Sequence, residues 1–509
     1  MLPWSPPGSD TSVTEVAPEI EIPAEPDITP LPRAFRELAL AAPDRPVITH
    51  EGRTITRGEL ERSSNRLARA YGELGVGQDD FVTIGLPNGI EFFEACLATW
   101  KCGAVPQPVS ARMPRLEVEE IVKLANSALV VGLEGGRVSV PVGFEPDPGL
   151  SDDPLPDRTA ISYKAPTSGG STGRPKLIVS GAPAILEGPL LGALIYQIKP
   201  GMVHLVTGPL YHNGPFSASM SSLFTGGHII VMTRFDAATA LELTQRHRVQ
   251  FMYLVPTMMH RIWRLPVEER ESYDLGSLEV AYHLAAPCPT WLKESWIEWL
   301  GPGRVWELYG GTEQQVITVL DGNEWLAHRG SVGKPIGGGR IRILDAEGND
   351  APPGEVGEVY LRRADDRPET YRYIGADPKN RDGWESLGDM GFLDEDGYLY
   401  LTDRLTDMIL VGGANIYPAE VEAALDSHPL VRSCCVIGLP DDELGNRVHA
   451  IVQASPEVTD DELRAHLAER LTVYKIPKTF ERTDQYLRDD AGKVRRSALR
   501  TERIERARG

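Results

Sequence analysis

A glycine- and hydroxyl-rich stretch that leads directly into a β-branched run is the feature that most constrains this chain. Residues 167–176 read Thr-Ser-Gly-Gly-Ser-Thr-Gly-Arg-Pro-Lys, and Leu177-Ile178-Val179 follows at once. Glycines let backbone N–H groups approach an anion closely, and hydroxyls and cations complete its coordination. The stretch therefore predicts a polyphosphate-binding loop beside a strand. A flexible surface linker is the alternative, although linkers rarely run straight into a strand.

The loop does not follow the P-loop pattern. No Gly-Lys-[Ser/Thr] opens a helix after it, and Pro175 interrupts the position where that helix would begin. A polyphosphate-binding loop of another kind is therefore indicated.

Size and charge limit the function classes. The chain has 509 residues, too many for one core, and its 41% hydrophobic and 25% charged residues are typical of a soluble globular protein. Its formal net charge of −21 argues against nucleic-acid partners and anionic membrane surfaces. Anionic substrates then need local positive sites, for which Arg174, Lys176, Arg404 and Lys493 are candidates.

Cysteine usage and hydropathy predict a cytoplasmic protein. The five cysteines are an odd number with no Cys-x-x-Cys, which is typical of reduced thiols rather than a disulfide frame or a zinc site. The longest apolar stretch, 184–198, is interrupted by Glu187 and Pro189 and is too short for a membrane span. The N-terminus has no signal-peptide pattern.

The pattern of apolar segments predicts the fold class. Strand-like runs at 81–86, 203–206 and 252–255 alternate with helical stretches such as 91–100 and 237–246, which implies parallel βαβ units. We therefore expect a large α/β domain with a smaller β subdomain after about residue 330 and a small α+β domain formed by the last hundred residues. Residues 1–32 lack Lys and Arg and are rich in acidic residues and Pro, so they predict an N-terminal extension.

Further motifs follow the glycine-rich loop in a fixed order. They are Tyr309-Gly310-Gly311-Thr312-Glu313, Trp384-Glu385-Ser386-Leu387-Gly388-Asp389, Asp403-Arg404 with the segment up to Glu422, and the closing motifs Tyr474-Lys475-Ile476-Pro477-Lys478 and Gly492-Lys493-Val494-Arg495-Arg496. Together with the loop, these motifs resemble the adenylate-forming superfamily of acyl-CoA synthetases, adenylation domains and luciferases. The family's loop usually has Thr-Thr where this chain has Gly170 and Ser171.

The resemblance implies ATP, Mg²⁺ and CoA as the small molecules bound. It assigns Lys493, Thr312 and Glu313 to catalysis, with Glu313 also as the Mg²⁺ ligand. It implies that Asp389 and Arg404 contact the ribose and that Tyr309 packs on adenine. The full set of implied ATP-binding residues is Thr167, Ser168, Gly169, Gly170, Ser171, Thr172, Gly173, Lys176, Ala286, Tyr309, Gly310, Asp389 and Arg404.

The resemblance also implies a division into moving parts. It gives a large domain at 33–403, a hinge at 404–408 and a small mobile domain at 409–509. In the family the small domain alternates between two orientations, one for adenylation and one for thioesterification. Gly412 and Gly413 would line the tunnel for the pantetheine arm of CoA. Thr406 stands where the family usually has Asp or Lys as the hinge pivot, so the pivot is left open.

The acid is less constrained. His212, Asn213 and Phe216 lie in a segment that resembles the family's acyl-pocket gate, although a core histidine and ordinary helix packing explain them equally well. No Asp occurs between Tyr211 and Thr233, so a free α-amino acid is not expected. The loop sequence Ser-Gly-Gly-Ser-Thr-Gly resembles that of ligases for bulky alicyclic or steroid-like acids. This resemblance favours a bulky hydrophobic acid. Linear fatty acids and aryl acids stay open.

The reaction implied by the resemblance is activation of a carboxylic acid as an acyl-adenylate, followed by transfer to CoA with release of AMP. A separate carrier protein whose pantetheine accepts the acyl group is the alternative partner. A catalytically idle relative is disfavoured, because Lys176, Glu313, Asp389, Arg404 and Lys493 are all present.

Overall fold

The computed structural model describes residues 27–169, 175–364, 369–411, 414–441, 443–485, 487–489 and 492–508. Within those residues, helices α1 to α14 are, in chain order, Leu31–Ala41, Arg57–Glu73, Ile90–Lys101, Arg115–Ala125, Glu187–Ile195, Asn213–Phe224, Ala237–His247, Pro256–Trp263, Val267–Arg270, Thr290–Leu300, Gly322–Ala327, Pro418–Asp426, Asp460–Ala468 and Arg496–Arg508. Short 3-10 turns lie at Pro302–Arg304 and Val473–Lys475.

Strands β1 to β26 of the described chain are, in order, Pro46–His50, Arg53–Thr56, Phe81–Ile84, Val105–Pro108, Leu129–Val131, Ser139–Val140, Thr167–Gly169, Pro175–Ser180, Val203–Val206, His228–Val231, Phe251–Leu254, Val280–Leu284, Val305–Tyr309, Thr318–Asp321, Lys334–Pro335, Arg340–Leu344, Gly357–Arg362, Tyr371–Ile374, Lys379–Arg381, Trp384–Leu393, Leu399–Arg404, Ile409–Val411, Ala414–Ile416, Val431–Asp441, Gly445–Ala454 and Thr479–Arg482.

The large domain is built on a mixed sheet with the strand order β15-β14-β13-β12-β11-β9-β10-β1-β2. The strands from β13 to β1 in this order pair in parallel, and β2, β14 and β15 pair antiparallel at its edges. Every residue of β11 and β12 is buried, as expected for strands covered on both faces. The α/β class predicted from the alternating pattern is confirmed.

A second parallel sheet, β4-β3-β5-β6, completes the large α/β unit. Helix α3 packs beside it, and ten of the twelve α3 residues are buried, Trp100 among them. The end of the N-terminal extension is attached to this unit, because Leu31 is fully buried and its amide donates to the carbonyl of Ala184.

Smaller antiparallel sheets carry the segments between the large unit and residue 404. Strand β8 lies between β7 and β18, and β16, β17, β20, β19 and β21 form the β subdomain. Strand β21 ends at Arg404, and Ile409 is the first buried residue of the small-domain core.

The small domain packs helices on its own sheet. Strands β24 and β25 pair antiparallel, β26 joins β25 in parallel, and β22 and β23 form a separate hairpin. Helix α13 starts at a capping box made by Thr459 and Glu462, which satisfies amides of its first turn. The helix ends at Ala468, and the amides of Arg470 and Leu471 still bond to the carbonyl of Leu467.

The topology gathers sequence-distant loops at one edge of the large sheet. The loops after β9, β11, β12 and β13 all leave from carboxyl ends of parallel strands. In open α/β sheets this edge is where ligands bind. In the described ranges, no helix combines the length and apolarity that a membrane crossing requires.

Candidate active site

Lys176 and Glu313 meet between two sheets. Glu313 follows β13 and is buried, while Lys176 is the second residue of β8, and Lys176 Nζ lies 3.7 Å from Glu313 Oε1. Burial lowers the pKa of Lys176, and the nearby Glu313 carboxylate opposes that shift. The loop ends of the two strands thus present one cation and one carboxylate side by side.

Tyr373 holds both members of this pair. Its hydroxyl donates to Glu313 Oε1 at 2.5 Å, and Lys176 Nζ lies 3.7 Å from the centre of its ring. Burial and the Glu313 carboxylate raise the pKa of the Tyr373 phenol, so it stays a hydrogen-bond donor. No motif in the sequence marks Tyr373; β18 brings it in by pairing with β8, with Tyr373 opposite Ile178.

Gly311 leaves room for the Glu313 carboxylate. A Cβ at Gly311 would lie 2.7 Å from Glu313 Oε2 and 2.4 Å from Leu387 Cδ1. Real Cβ atoms do not approach so closely, so a side chain here would displace the carboxylate. Gly310 and Thr312 flank this position in the same loop, and both are partly exposed.

Asp389 connects Tyr309 and Arg404. The Tyr309 hydroxyl donates to Asp389 Oδ2 at 2.8 Å, and Arg404 Nε lies 3.3 Å from Asp389 Oδ1. Asp389 and Arg404 are cross-strand partners on β20 and β21, which explains why residues fifteen apart in sequence share one ion pair. Burial and the Asp389 charge raise the pKa of Tyr309.

The glycine-rich loop is described at its two ends. Thr167, Ser168 and Gly169 form β7, which pairs with the start of β8, and Gln107 Nε2 donates to Thr167 Oγ1 at 3.3 Å. Gly170, Ser171, Thr172 and Gly173 lie outside the described residues, as do Gly412 and Gly413. The paired strands bring the loop's last residue, Lys176, to Glu313.

Ala286 follows β12 at the same sheet edge. The preceding Ala285 has a φ of +75°, a left-handed conformation that turns the chain sharply after the strand. Ala286 therefore lies on the loop after β12, next to the end of β13, where Tyr309 is the last residue.

The three residues predicted for the acyl pocket differ in their surroundings. His212 occupies the N-cap position of α6 without a capping bond from its side chain, and Asn213 is the first residue of the helix. His212 Nε2 and Asn213 Oδ1 are buried without a hydrogen-bond partner. Burial, with the charge of Lys493, lowers the pKa of His212 to about 3, so its ring is neutral. Phe216 is fully buried among core aromatic rings and packs edge-on against Trp100 at 6.3 Å, so core packing accounts for its position.

Lys493 reaches the same region from the small domain. Its amide donates to Asp489 Oδ1 at 2.8 Å, and the Asp489 amide donates back to the Lys493 carbonyl, which closes a tight turn. Burial, and then the charge of Arg404, lowers the pKa of Lys493, while Asp489 and Glu313 oppose the shift. Lys493 therefore lies within the electrostatic reach of Arg404, Glu313 and His212.

The turn that carries Lys493 contacts the large domain directly. Gly492 has a φ of +75°, and a Cβ there would lie 2.4 Å from Thr257 Oγ1 and 3.4 Å from Val255 Cγ2. Val255 and Thr257 belong to the loop after β11 and the first turn of α8. The turn that carries Lys493 thus packs against the loop after β11 and the start of α8.

A buried ion network fixes this turn within the small domain. Arg488 donates to Glu422 Oε2 at 2.9 Å and to the Gly492 carbonyl at 3.2 Å. Arg496 makes two bonds of 2.8 Å to the Glu422 carboxylate and reaches Asp407 in the predicted hinge at 2.9 Å. Burial alone would raise the pKa of Glu422, but the two arginines outweigh it and hold the pKa below its ordinary value.

The donor set fits a magnesium ion held with phosphate. Among the described residues, no group of three or more His, Cys, Asp or Glu side chains converges as a metal site. Glu313 offers a buried carboxylate at the carboxyl edge of the sheet, and Mg²⁺ is commonly bound through one or two carboxylates plus substrate phosphates. The arrangement suits a metal that arrives with ATP.

Sequence reasoning missed the residues that support the site. Tyr373 and Arg488 contact the predicted residues from other parts of the chain, and neither belongs to a motif quoted above. Arg496 ends the closing motif that contains Lys493, but its bonds to Glu422 and Asp407 were not predicted.

Two family profiles match the chain. The profile of the AMP-binding enzyme covers residues 35–365, and that of the AMP-binding enzyme C-terminal domain covers residues 420–493. Feruloyl-CoA synthase of Amycolatopsis sp is 32% identical over 91% of this chain and 96% of its own. A fatty acid–[acyl-carrier-protein] ligase of Streptomyces coeruleorubidus is 30% identical over 90% of this chain and 93% of its own.

A solved structure gives the same result for the fold. o-Succinylbenzoate CoA synthetase of Bacillus subtilis, in complex with its acyl-adenylate intermediate, aligns with a TM-score of 0.77 and 26% identity over 93% of this chain and 98% of its own. With most of its large and small domains matched, this chain belongs to the AMP-binding enzyme family, the adenylate-forming enzymes.

Proposed function

We propose that this protein is an AMP-forming acid–CoA ligase that uses the residues described above. The observation that carries the proposal is that Lys493, from the small domain, lies within electrostatic reach of Glu313 and Arg404, which form the Lys176–Glu313 and Asp389–Arg404 pairs of the large domain. An enzyme that joins a carboxylate to ATP must bring two anions together, and this edge supplies local cations in a chain of net charge −21.

In the first half-reaction, an oxygen of the substrate carboxylate forms a bond to the α-phosphorus of ATP. The bond from that phosphorus to the bridging oxygen of pyrophosphate breaks, and pyrophosphate leaves. Lys176 and the hydroxyl-rich loop before it hold the β- and γ-phosphates, Thr312 contacts the α-phosphate, and Lys493 neutralises charge between the carboxylate and that phosphate. Asp389 and Arg404 bind the ribose, with adenine between Tyr309 and the Ala286 loop.

Mg²⁺ fits this scheme as a partner of Glu313. When bound, it supplies positive charge to the phosphate oxygens. Tyr373 keeps the Glu313 carboxylate oriented by its hydrogen bond, and Lys176 balances part of its charge.

In the second half-reaction, the CoA thiol forms a bond to the acyl carbon, the acyl–phosphate oxygen bond breaks, AMP leaves, and the thiol proton goes to solvent. Lys493 has no part in this step, so the small domain is free to turn about residues 404–408 and present the Gly412-Gly413 segment to the pantetheine arm. Thr406 is exposed in a turn whose amides bond to Gly388 and Arg404, which supports a hinge here without assigning its pivot.

The substrate proposal is a bulky hydrophobic or aryl acid. The neutral, buried ring of His212 at the start of α6 offers no charge to a second ionised group on the acid, and no Asp is present in that segment to pair with an amine. The relative named for feruloyl-CoA favours the aryl class. The relative named as an acyl-carrier-protein ligase keeps carrier-protein pantetheine as the second candidate acceptor.

The test is pyrophosphate release with ATP, Mg²⁺ and a panel of acids: ferulate, o-succinylbenzoate, a linear fatty acid, a steroid-like acid and an amino acid. Each acid is assayed with CoA, with a phosphopantetheinylated carrier protein, and with neither. Release that depends on one acid, with acyl-CoA formed when CoA is present, supports the proposal. Thioester formed on the carrier protein alone would favour the second acceptor, and no release with any acid would contradict the proposed activity.

A further inference from the structure

Arg264 of the large domain binds the C-terminal end of a small-domain helix. It follows α8, and its guanidinium donates to the carbonyl oxygens of Asp426 at 3.0 Å, His428 at 2.9 Å and Pro429 at 2.8 Å. These carbonyls lie at and just beyond the C-terminus of α12, where the last carbonyls of a helix have no intrahelical partner and the helix dipole favours a cation. One side chain thus caps a helix across the domain boundary.

The large domain holds the guanidinium in the orientation that this cap requires. Arg264 Nε donates to His260 Nε2 at 3.2 Å, and Arg264 Cζ lies 6.0 Å from the centre of the Trp291 ring. Burial, and then the Arg264 charge, lowers the pKa of His260 to about 4, so this imidazole is neutral and free to accept. The large domain thus holds Nε and one face of the guanidinium, and the two terminal nitrogens bond to the carbonyls beyond α12.

The capped helix is connected to the turn that carries Lys493. Glu422, on α12, binds Arg488, and Arg488 donates to the carbonyl of Gly492. Gly492 in turn packs on Thr257, in the first turn of α8. Helix α8 therefore contacts the small domain at both ends, which lie about 12 Å apart for a helix of this length.

We propose that Arg264 is a positioning residue for adenylation: it holds the small domain in the orientation that presents Lys493 to the nucleotide. This inference rests on the proposed function, because it assigns Arg264 to one of its two half-reactions. Rotation of the small domain for thiolysis separates α12 from α8, so the bonds of Arg264 contribute to the first half-reaction and not to the second. The acceptors are backbone carbonyls, so the interaction is removed only by changing Arg264 itself.

The test compares Arg264→Ala, Arg264→Lys and a matched control, Arg261→Ala. Arg261 lies on the same helix, is exposed, and stacks at 5.1 Å on Phe235 of the large domain. Hydrogen bonds to a charged group predict that Arg264→Ala slows single-turnover formation of acyl-adenylate about 10- to 100-fold. Thiolysis of supplied acyl-adenylate by CoA stays within about twofold of wild type, and Arg264→Lys recovers part of the loss because its ammonium still reaches a carbonyl.

Hydrogen–deuterium exchange tests the contact without any knowledge of the acid. The amides of His428 and Val431 bond to carbonyls of the same turn that Arg264 holds, at 3.0 and 3.1 Å. Arg264→Ala is expected to speed exchange in peptides that cover 426–431, and Arg261→Ala is not.

The proposal is overturned if Arg264→Ala adenylates at the wild-type rate, if both half-reactions fall equally, or if Arg261→Ala gives the same loss. If the wild-type enzyme releases no pyrophosphate with any acid of the panel, that result would instead contradict the proposed function. In that case, amide exchange in peptides that cover 426–431 would still test the contact made by Arg264. Unchanged exchange in Arg264→Ala would overturn that contact.

Discussion

Replacement of Gly492 by Ala tests whether the observed domain packing is the adenylating orientation. The new Cβ would lie 2.4 Å from Thr257 Oγ1, a contact between the domains, and the residue would keep a φ of +75°. The left-handed backbone costs an L-residue about 1–2 kcal/mol in any domain orientation. The overpacking adds about 1–3 kcal/mol, but only when the domains are packed as observed.

Gly445 separates these two contributions. It lies in the small domain with a φ of +78°, and a Cβ there meets nothing within 4 Å. Gly445→Ala therefore carries the backbone cost without the contact between domains. The difference between the variants should be the overpacking alone, which corresponds to a further loss of about 5- to 150-fold in the adenylation rate for Gly492→Ala.

The assay is single-turnover formation of acyl-adenylate, with thiolysis of supplied acyl-adenylate measured in parallel. Adding Thr257→Ala to Gly492→Ala removes the atom that the new methyl group meets and should restore much of the rate. Equal rates for Gly492→Ala and Gly445→Ala, or no recovery with Thr257→Ala, would refute the reasoning. So would a thiolysis rate that falls as far as adenylation.

The remaining predictions concern single groups. Lys493→Ala should slow adenylation by about 10²–10³-fold and spare thiolysis, since it removes one preorganised charge, and an equal fall in both halves would contradict this role. Tyr373→Phe keeps the ring under Lys176 but loses the bond to Glu313, so the Mg²⁺ concentration needed for half-maximal pyrophosphate release should rise about 10-fold; an unchanged Mg²⁺ titration would count against it. Burial lowers the pKa of Lys164 from 10.5 to about 7, so its penalty on folding is complete below pH 7 and fades as the pH rises towards 10.5. Lys164 Nζ also donates to Ser217 Oγ at 2.5 Å, a bond that Lys164→Met loses. With that loss subtracted, Lys164→Met should stabilise the protein by about 3 kcal/mol at pH 6 and clearly less at pH 9.5 in urea unfolding, and a pH-independent difference would contradict this.

The ordered motifs were sufficient to predict the family, and several of their polar residues contact one another in the structure. Tyr309, Glu313, Asp389 and Arg404 lie at strand ends or on paired strands, where backbone geometry alone brings short motifs together. Their close contacts follow from the fold that the alternating apolar pattern predicted.

The supporting contacts could not be predicted because their partners carry no pattern. Arg264 binds backbone carbonyls, which every residue has, and Tyr373 depends on the register of β18 against β8. The position of Phe216 could not be predicted for another reason. Helical spacing of apolar residues identifies a buried face but does not say whether that face lines a ligand pocket or the core. In the structure, Phe216 packs in the aromatic core.

The most direct test of the account is mass spectrometry of the enzyme incubated with ATP, Mg²⁺ and the acid that supports pyrophosphate release, before and after CoA is added. The account predicts an acyl-adenylate that accumulates without CoA and is replaced by acyl-CoA and AMP when CoA is added. Formation of ADP and phosphate in place of AMP and pyrophosphate, or acyl-CoA without any adenylate, would contradict it.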